Sequence, residues 1–114
     1  MLGAYSNASA SDDFTIRIKL NGATIHTINR AGGNKTNAGF ETITTMTIRT
    51  DGASGTYISS VSAIDDTNSY TASTVSTSAI DTTTTNTVSV TIQWDNAKAG
   101  NTFASTQGYI ELIH

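Results

Sequence analysis

A strictly alternating segment that runs directly into an Asn-Gly dipeptide constrains the fold most strongly. From Phe14 to Leu20 the apolar side chains fall on one face, and Thr15, Arg17 and Lys19 fall on the other. This period of two is typical of a half-buried strand. Asn21-Gly22 follows at once and favours a two-residue type I′ turn, in which both turn residues have positive φ. The sequence therefore predicts a β-hairpin here.

The short turn also predicts how the two strands pair. The expected opposite pairs are Leu20 with Ala23, Ile18 with Ile25, Arg17 with His26, and Ile16 with Thr27. In this register apolar residues face one another across the pair, which stabilises it. His26 falls on the solvent face with Arg17, Lys19 and Thr24, and we predict it to be an ordinary surface histidine.

The C-terminal part of the chain predicts two further strands. Thr87–Trp94 alternates, with Val88, Val90, Ile92 and Trp94 on one face. The simplest interpretation of Trp94 is a core residue, and the alternative is an exposed stacking platform for a sugar ring. After a polar loop at Asp95–Asn101 and Thr102-Phe103, the segment Tyr109–Ile113 is apolar on both faces except for Glu111. A strand of this kind needs cover on both sides. We therefore predict that one face packs beside Val90, Ile92 and Trp94 and that the other meets a second chain.

The rest of the chain favours a single all-β domain spanning residues 1–114. Roughly 30% of the residues are Thr or Ser, far above ordinary usage, and Thr favours strands. Strands are predicted at Phe40–Thr50 and Thr56–Ile64, with an edge strand at Tyr70–Ser76 and an extended connection at Ser78–Asn86. Residues 1–11 are expected to form a linker or an edge strand. About eight short strands separated by turn residues predict an antiparallel sandwich or barrel.

Several function classes are disfavoured by composition. The net charge of −3 without a basic block argues against binding to nucleic acid. The chain contains no apolar run near 18 residues, so no membrane-spanning helix is predicted. The chain has no cysteine and only two histidines, so we expect no disulfide, metal, cofactor or enzymatic activity. Two acidic pairs, Asp12-Asp13 and Asp65-Asp66, invite a calcium site, although adjacent strand residues point to opposite faces. The turn Asp65-Asp66-Thr67-Asn68 is the better candidate, and an ordinary capped turn is the alternative.

The order of these features resembles a known family. Val88–Trp94, the Asp95–Asn101 loop, Thr102-Phe103 and Tyr109–Leu112 resemble the C-terminal ends of phage tail-fibre and tailspike proteins. The hairpin at Asp13–Gly22 and the loop at Ala31–Gly39 are similar to the same tip domains, so the resemblance covers Tyr5–His114. It implies a jelly-roll β-sandwich of the tumour-necrosis-factor type that assembles as a homotrimer. Because Leu2–Tyr5 has the pattern of a strand interior, we expect the natural fibre protein to continue upstream.

The resemblance also implies a function at the virion surface, outside the host cell. The expected role is a tail-fibre tip that binds a host surface receptor, with glycans among the candidates. The alternative is a structural trimerisation cap, capsid decoration or head-fibre domain without a ligand, and a third option is a bacterial adhesin or lectin. Ligand binding is expected in loops, here Arg30–Gly39, Asp51–Gly55 and Asp65–Ser69, with Asn34, Lys35 and Tyr70 as candidate residues. The candidate trimer-interface residues are Tyr109, Ile110 and Leu112.

Overall fold

The fold is built from antiparallel strands. The computed structural model describes residues 1–30, 33–65 and 69–111, with the backbone alone for residues 69–76. Its strands are β1 (Leu2–Ser6), β2 (Phe14–Leu20), β3 (Ala23–Arg30), β4 (Ala38–Thr50), β5 (Gly55–Asp65), β6 (Ser69–Ile80), β7 (Val88–Trp94) and β8 (Thr102–Gln107). Within these ranges there is no helix, and hence none long and apolar enough to cross a membrane.

The strands form two sheets that pack as a β-sandwich, which confirms the all-β prediction. The five-stranded sheet has the order β6-β5-β4-β1-β8, and the three-stranded sheet has the order β3-β2-β7. β6 lies at a sheet edge, as predicted, but it extends to Ile80 and takes in part of the predicted connection Ser78–Asn86. β1 pairs with β4 on one side and β8 on the other, so it lies inside its sheet, unlike the linker or edge strand expected for residues 1–11.

Alternating side chains supply the core between the sheets. In β2, Phe14, Ile16, Ile18 and Leu20 are all buried. The first three share a cluster with Tyr5, Phe40, Val61 and Ala63 from the other sheet, whereas Leu20 belongs to a second cluster with Tyr57 and Ile80. Rings crowd one part of this core, with centroids 4.9 Å apart for both Tyr5–Phe14 and Phe14–Trp94. Trp94 packs against the core cluster, as its simplest interpretation predicted. Such tilted ring pairs contribute beyond the apolar area that they bury.

The hairpin forms as predicted, but its register changes beyond the turn. Asn21 and Gly22 have φ values of 50° and 83°, as a type I′ turn requires. Leu20 lies opposite Ala23 and Lys19 opposite Thr24; a bulge then leaves Ile25 unpaired, and Ile18 lies opposite His26. The predicted pairs of Ile18 with Ile25, Arg17 with His26 and Ile16 with Thr27 are therefore wrong.

The physical reason for the bulge is the side chain of Ile28. In an unbroken register Ile28 would lie opposite Thr15 on the solvent face, whereas the extra residue brings it opposite Ile16, where it is 5% exposed. Burying an isoleucine is worth roughly 1.5–3 kcal/mol. The same one-residue shift moves His26 to the inner face, since a slip by one exchanges the two faces. The prediction of a surface His26 is therefore wrong.

Two further predicted boundaries, at the end of β3 and in the C-terminal segment, differ from the structure. β3 continues to Arg30, so Arg30 belongs to a strand and not to the predicted loop Arg30–Gly39. The last strand is β8, and Tyr109, Ile110 and Glu111 lie outside any strand, contrary to the predicted closing strand; Leu112 and Ile113 lie outside the described residues. The reason is the reach of β1, which pairs with β8 only as far as Leu2 opposite Gln107.

Candidate functional site

The loops gather at two opposite ends of the sandwich. At one end, here called the Asp12 end, β1, β3, β5 and β7 finish and β2, β4, β6 and β8 begin. The predicted loops Arg30–Gly39 and Asp65–Ser69 both belong to this end. The predicted loop Asp51–Gly55 lies beyond the far end of β4, and thirteen extended residues span about 40 Å. The three predicted loops therefore do not meet around one ligand.

Residues 33–37 are fixed to the chain that follows β1. The backbone N–H of Lys35 donates to Oδ1 of Asn7 at 2.5 Å, and the N–H of Asn7 donates to the carbonyl of Lys35 at 3.0 Å. The N–H of Asn37 donates to Oγ of Ser6 at 2.8 Å. Asn34 and Asn37 have positive φ values of 54° and 52°, a conformation that asparagine tolerates better than most residues. The loop is thus preformed, and it exposes the Asn34 side chain and leaves that of Lys35 half-buried.

Asp12 is fully buried at the centre of this end. Its Oδ1 lies 2.5 Å from Nζ of Lys98 and 3.4 Å from Nδ2 of Asn96. The hydrogen bond from Lys98 is the main cause that lowers the pKa of the Asp12 carboxyl below its ordinary value, against the opposing effect of burial. Asp13 is exposed, as expected for neighbours of opposite facing. The side chain of Asp12 therefore anchors the β7–β8 loop.

Further bonds connect the same two chain segments. Oδ1 of Asn101 accepts from the N–H of Ala8 at 2.7 Å, and its Nδ2 donates to the carbonyl of Asn96 at 2.9 Å. Oδ1 of Asp95 accepts from the N–H of Asp13 at 2.9 Å. Asp95–Asn101 was predicted only as a loop. The density of Asn and Asp between residues 95 and 101 was the available signal, because these side chains commonly bond backbone groups in turns.

A buried ion pair lies between the sheets close to this end. The guanidinium of Arg30 contacts Oδ2 of Asp65, which also accepts a hydrogen bond from the hydroxyl of Tyr5 at 3.4 Å. Arg30 and Asp65 are 3% and 6% exposed. This interaction was not predicted, since Arg30 and Asp65 were both assigned to loops. The Asp65 carboxylate is therefore buried in an ion pair and is not an exposed ligand of the kind that the predicted calcium site requires. Asp66, Thr67 and Asn68 lie outside the described residues.

Chemically, the Asp12 end offers amide and hydroxyl groups together with the exposed charged side chains of Asp13, Asp95 and Lys98. No three acidic, histidine or cysteine side chains converge on a metal position among the described residues. His26 and Ser59 do approach each other, with Nε2 2.8 Å from Oγ, but both are buried, and a substrate would have no route to them. The strand β6 carries Tyr70, and its side chain lies outside the described part of the structure.

The candidate interface residues lie at a different place, beside a groove between β4 and β7. The groove has a volume of about 1390 Å³, and Tyr109 and Ile110 line it. Their side chains are 73% and 87% exposed, while Leu112 lies outside the described residues. No protein-family model, curated protein or solved structure matches this chain.

Proposed function

We propose that this protein is the receptor-binding tip of a phage tail fibre and attaches the virion to the host cell surface through the Asp12 end. The observation that carries the proposal is the fixed, amide-rich loop surface there. Asn amides both donate and accept hydrogen bonds, as the hydroxyl groups of a glycan require. Loops that are already held in one conformation lose less entropy when they bind. A bacterial surface glycan is therefore the proposed ligand class.

The same proposal includes jelly-roll connectivity and a homotrimer at the virion surface. The support comes from the resemblance of Val88–Leu112 to fibre tips and from the exposed apolar side chains of Tyr109 and Ile110. A sandwich with binding loops at one end and an assembly surface along its side would suit a domain that terminates a fibre.

The test is binding of the purified domain to an array of bacterial lipopolysaccharide and capsule glycans, with adsorption to host cells as a second readout. We expect Asn34→Ala, Lys35→Ala and Tyr70→Ala each to weaken binding by about tenfold, the equivalent of one or two hydrogen bonds. The matched controls are Lys19→Ala on the solvent face of β2 and Thr85→Ala at the opposite end, which should bind as the unchanged chain does. Unaltered binding in the Asn34, Lys35 and Tyr70 variants would exclude the Asp12 end as the attachment surface.

A structural role without a ligand is the second candidate, either as a trimerisation cap or as a capsid decoration or head-fibre domain. The specific observation in its favour is the apolar groove, because a contiguous exposed apolar surface marks a protein contact more often than a sugar site. Absence of binding on the array together with a stable oligomer in solution would select this role over attachment.

A further inference from the structure

The groove between β4 and β7 collects nearly all the exposed apolar surface of the described structure. Among the described residues, eight large apolar side chains are exposed. Seven of them line this groove, and Ile64 lies elsewhere. Soluble monomers rarely concentrate exposed apolar side chains in one place unless something binds them.

One wall of the groove is an unpaired strand edge. β1 covers β4 from Ala38 to Glu41, and Met1 exchanges two backbone bonds with Thr42, of 2.8 and 2.9 Å. Beyond Thr42, no described strand pairs with this side of β4 as far as Thr50. The N–H and C=O groups along residues 43–50 that point to this side are therefore available to an added strand.

The opposite wall is apolar surface that the sandwich leaves uncovered. Val90 lies opposite Ile18 and Val88 opposite Leu20 in the β2–β7 pair, so all four side chains share the inner face. Ile18 and Leu20 are 1% and 6% exposed, whereas Val90 and Val88 are 38% and 43% exposed. The packing that buries β2 therefore stops before it reaches the first half of β7.

The charges of the groove restrict what can occupy it. Among the described residues its charged side chains are Glu41 and Glu111 and none is Lys, Arg or His, while the ammonium group of Met1 is bonded to the carbonyl of Thr42. An anionic ligand is disfavoured by this lining. An extended, mostly apolar segment satisfies both the valine wall and the free edge of β4.

The chain contains such a segment, and it starts at the mouth of the groove. In Tyr109–Ile113 four of five residues are apolar, and Ile110 and Leu112 would share one face of a strand while Glu111 takes the other. In its own molecule this segment leaves Tyr109 and Ile110 strongly exposed. Because β1 lies between β4 and β8, the segment that follows β8 has to cross one strand spacing of about 4.8 Å before it can lie beside β4. This crossing takes roughly two residues.

We propose that Tyr109–Ile113 of a second copy of this chain occupies the groove as an added strand beside β4. Ile110 and Leu112 of that copy face Val88 and Val90, and Glu111 points to solvent. Because each copy has one groove and one C-terminal segment, a closed cyclic assembly fills every groove. The inference deepens the assembly part of the proposed function, and it does not depend on whether the Asp12 end binds a glycan.

Cross-linking tests the contact directly, because the chain has no cysteine of its own. Full-length Ile110→Cys and Val88→Cys chains are mixed and treated with a short bis-maleimide. We expect a covalent species of twice the chain mass that contains one copy of each variant. A mixture of Ile110→Cys with Ile64→Cys is the control and should give none, since Ile64 lies outside the groove. Equal cross-linking in both mixtures, or none in either, would overturn the proposal.

Two further measurements exclude the remaining occupants. A single chain that carries both Ile110→Cys and Val88→Cys tests whether the groove is occupied by the chain's own C-terminal segment. That occupant would give only an internal cross-link at monomer mass, and this result would overturn the proposal. Sedimentation of the unmodified chain at tens of micromolar should give an oligomer, and a clean monomer would overturn it. Ile110→Asn and Val90→Asn should each weaken self-association by about tenfold or more, because each places a polar amide in an apolar contact, whereas Ile64→Asn should not.

These outcomes also separate this inference from the attachment role. Loss of the oligomer with retained glycan binding would overturn only the groove contact. An intact cross-linked oligomer without glycan binding would overturn only attachment.

Discussion

Nε2 of His26 lies 2.8 Å from Oγ of Ser59, and this contact joins β3 of the three-stranded sheet to β5 of the five-stranded sheet. The two residues are 5% and 7% exposed. The bulge at Ile25 places the imidazole in this position, because without it His26 would face solvent. A local irregularity in one hairpin therefore creates a polar link across the sandwich.

The stability of the fold should depend on pH through His26. Burial lowers the pKa of His26 in the folded protein, so between that value and about 6.5 the unfolded chain binds more protons. The free energy of unfolding should therefore be highest above about pH 6.5 and fall as the pH drops through this window. Thermal melts from pH 7.5 to 5 measure the effect.

A variant without this imidazole supplies the control for this prediction. His26→Gln should flatten the dependence of the melting temperature on pH relative to the unchanged chain. A slope that survives in His26→Gln would assign the titration to another group. The carboxyl groups of Asp12 and Asp81, whose pKa values are lowered by hydrogen bonds from Lys98 and Thr83, titrate at much lower pH and do not interfere.

Removing one partner of the buried Arg30–Asp65 pair should be costly. Arg30→Met removes the guanidinium that contacts the buried Asp65 carboxylate, and we expect a loss of about 3–5 kcal/mol in the free energy of unfolding. Replacing both partners, in Arg30→Met/Asp65→Leu, should cost less than the sum of the single changes. Urea unfolding of the unchanged chain, the two single variants and the double variant measures these differences, and additive single changes would contradict the prediction.

Arg17→Met is the control, since Arg17 bonds Gln93 in an exposed position. This variant should change the free energy of unfolding by about 0.5 kcal/mol or less.

Gly3 in β1 and Gly39 in β4 should respond differently to replacement by alanine. A Cβ on Gly3 would lie 2.6 Å from the carbonyl oxygen of Ala104, while a Cβ on Gly39 would meet nothing within 4 Å. Gly3→Ala should therefore push β8 from β1 and cost about 1–3 kcal/mol. Gly39→Ala should be neutral or slightly stabilising. Melting temperatures measure both, and equal values for the two variants would argue against close β1–β8 packing.

Gly22→Val should destabilise the hairpin by about 1 kcal/mol or more. Gly22 has a φ of 83°, and a β-branched side chain resists positive φ. Ala23→Val is the matched control, because Ala23 begins β3, where a β-branched residue is favoured. Chemical denaturation of both variants gives the comparison, and equal stability would show that the turn does not require the left-handed conformation.

Local sequence patterns predicted β2 to β7, because each of these patterns depends on neighbours in the chain, whereas β8 was not predicted. The alternation of β2 and β7 and the Asn-Gly turn needed no knowledge of the other sheet. The bulge at Ile25 could not be predicted in this way, since it depends on burying Ile28 and on a hydroxyl from Ser59, thirty-three positions from His26.

The candidate site was predictable in part for the same reason. The loops that contain Asn34, Lys35 and Asp95 were identified from turn-forming residues. The bonds that fix them come from Asn7, Asp12 and the backbone N–H of Ala8, which are distant in the sequence from these loops and give no local pattern. The C-terminal segment was assigned to a strand from its apolar residues alone, whereas strand formation also requires a neighbour with free backbone groups, and β1 provides none beyond Leu2.

The position of β1 between β4 and β8 has a consequence for the order in which the protein is made. Leu2 is synthesised 105 residues before Gln107, its partner in β8. Until β8 is made, β1 can use only the edge that faces β4, and its other edge stays open. The five-stranded sheet therefore closes only after β8 has been synthesised. Nascent chains halted before residue 102 will carry an unprotected strand edge that is prone to pair with another chain.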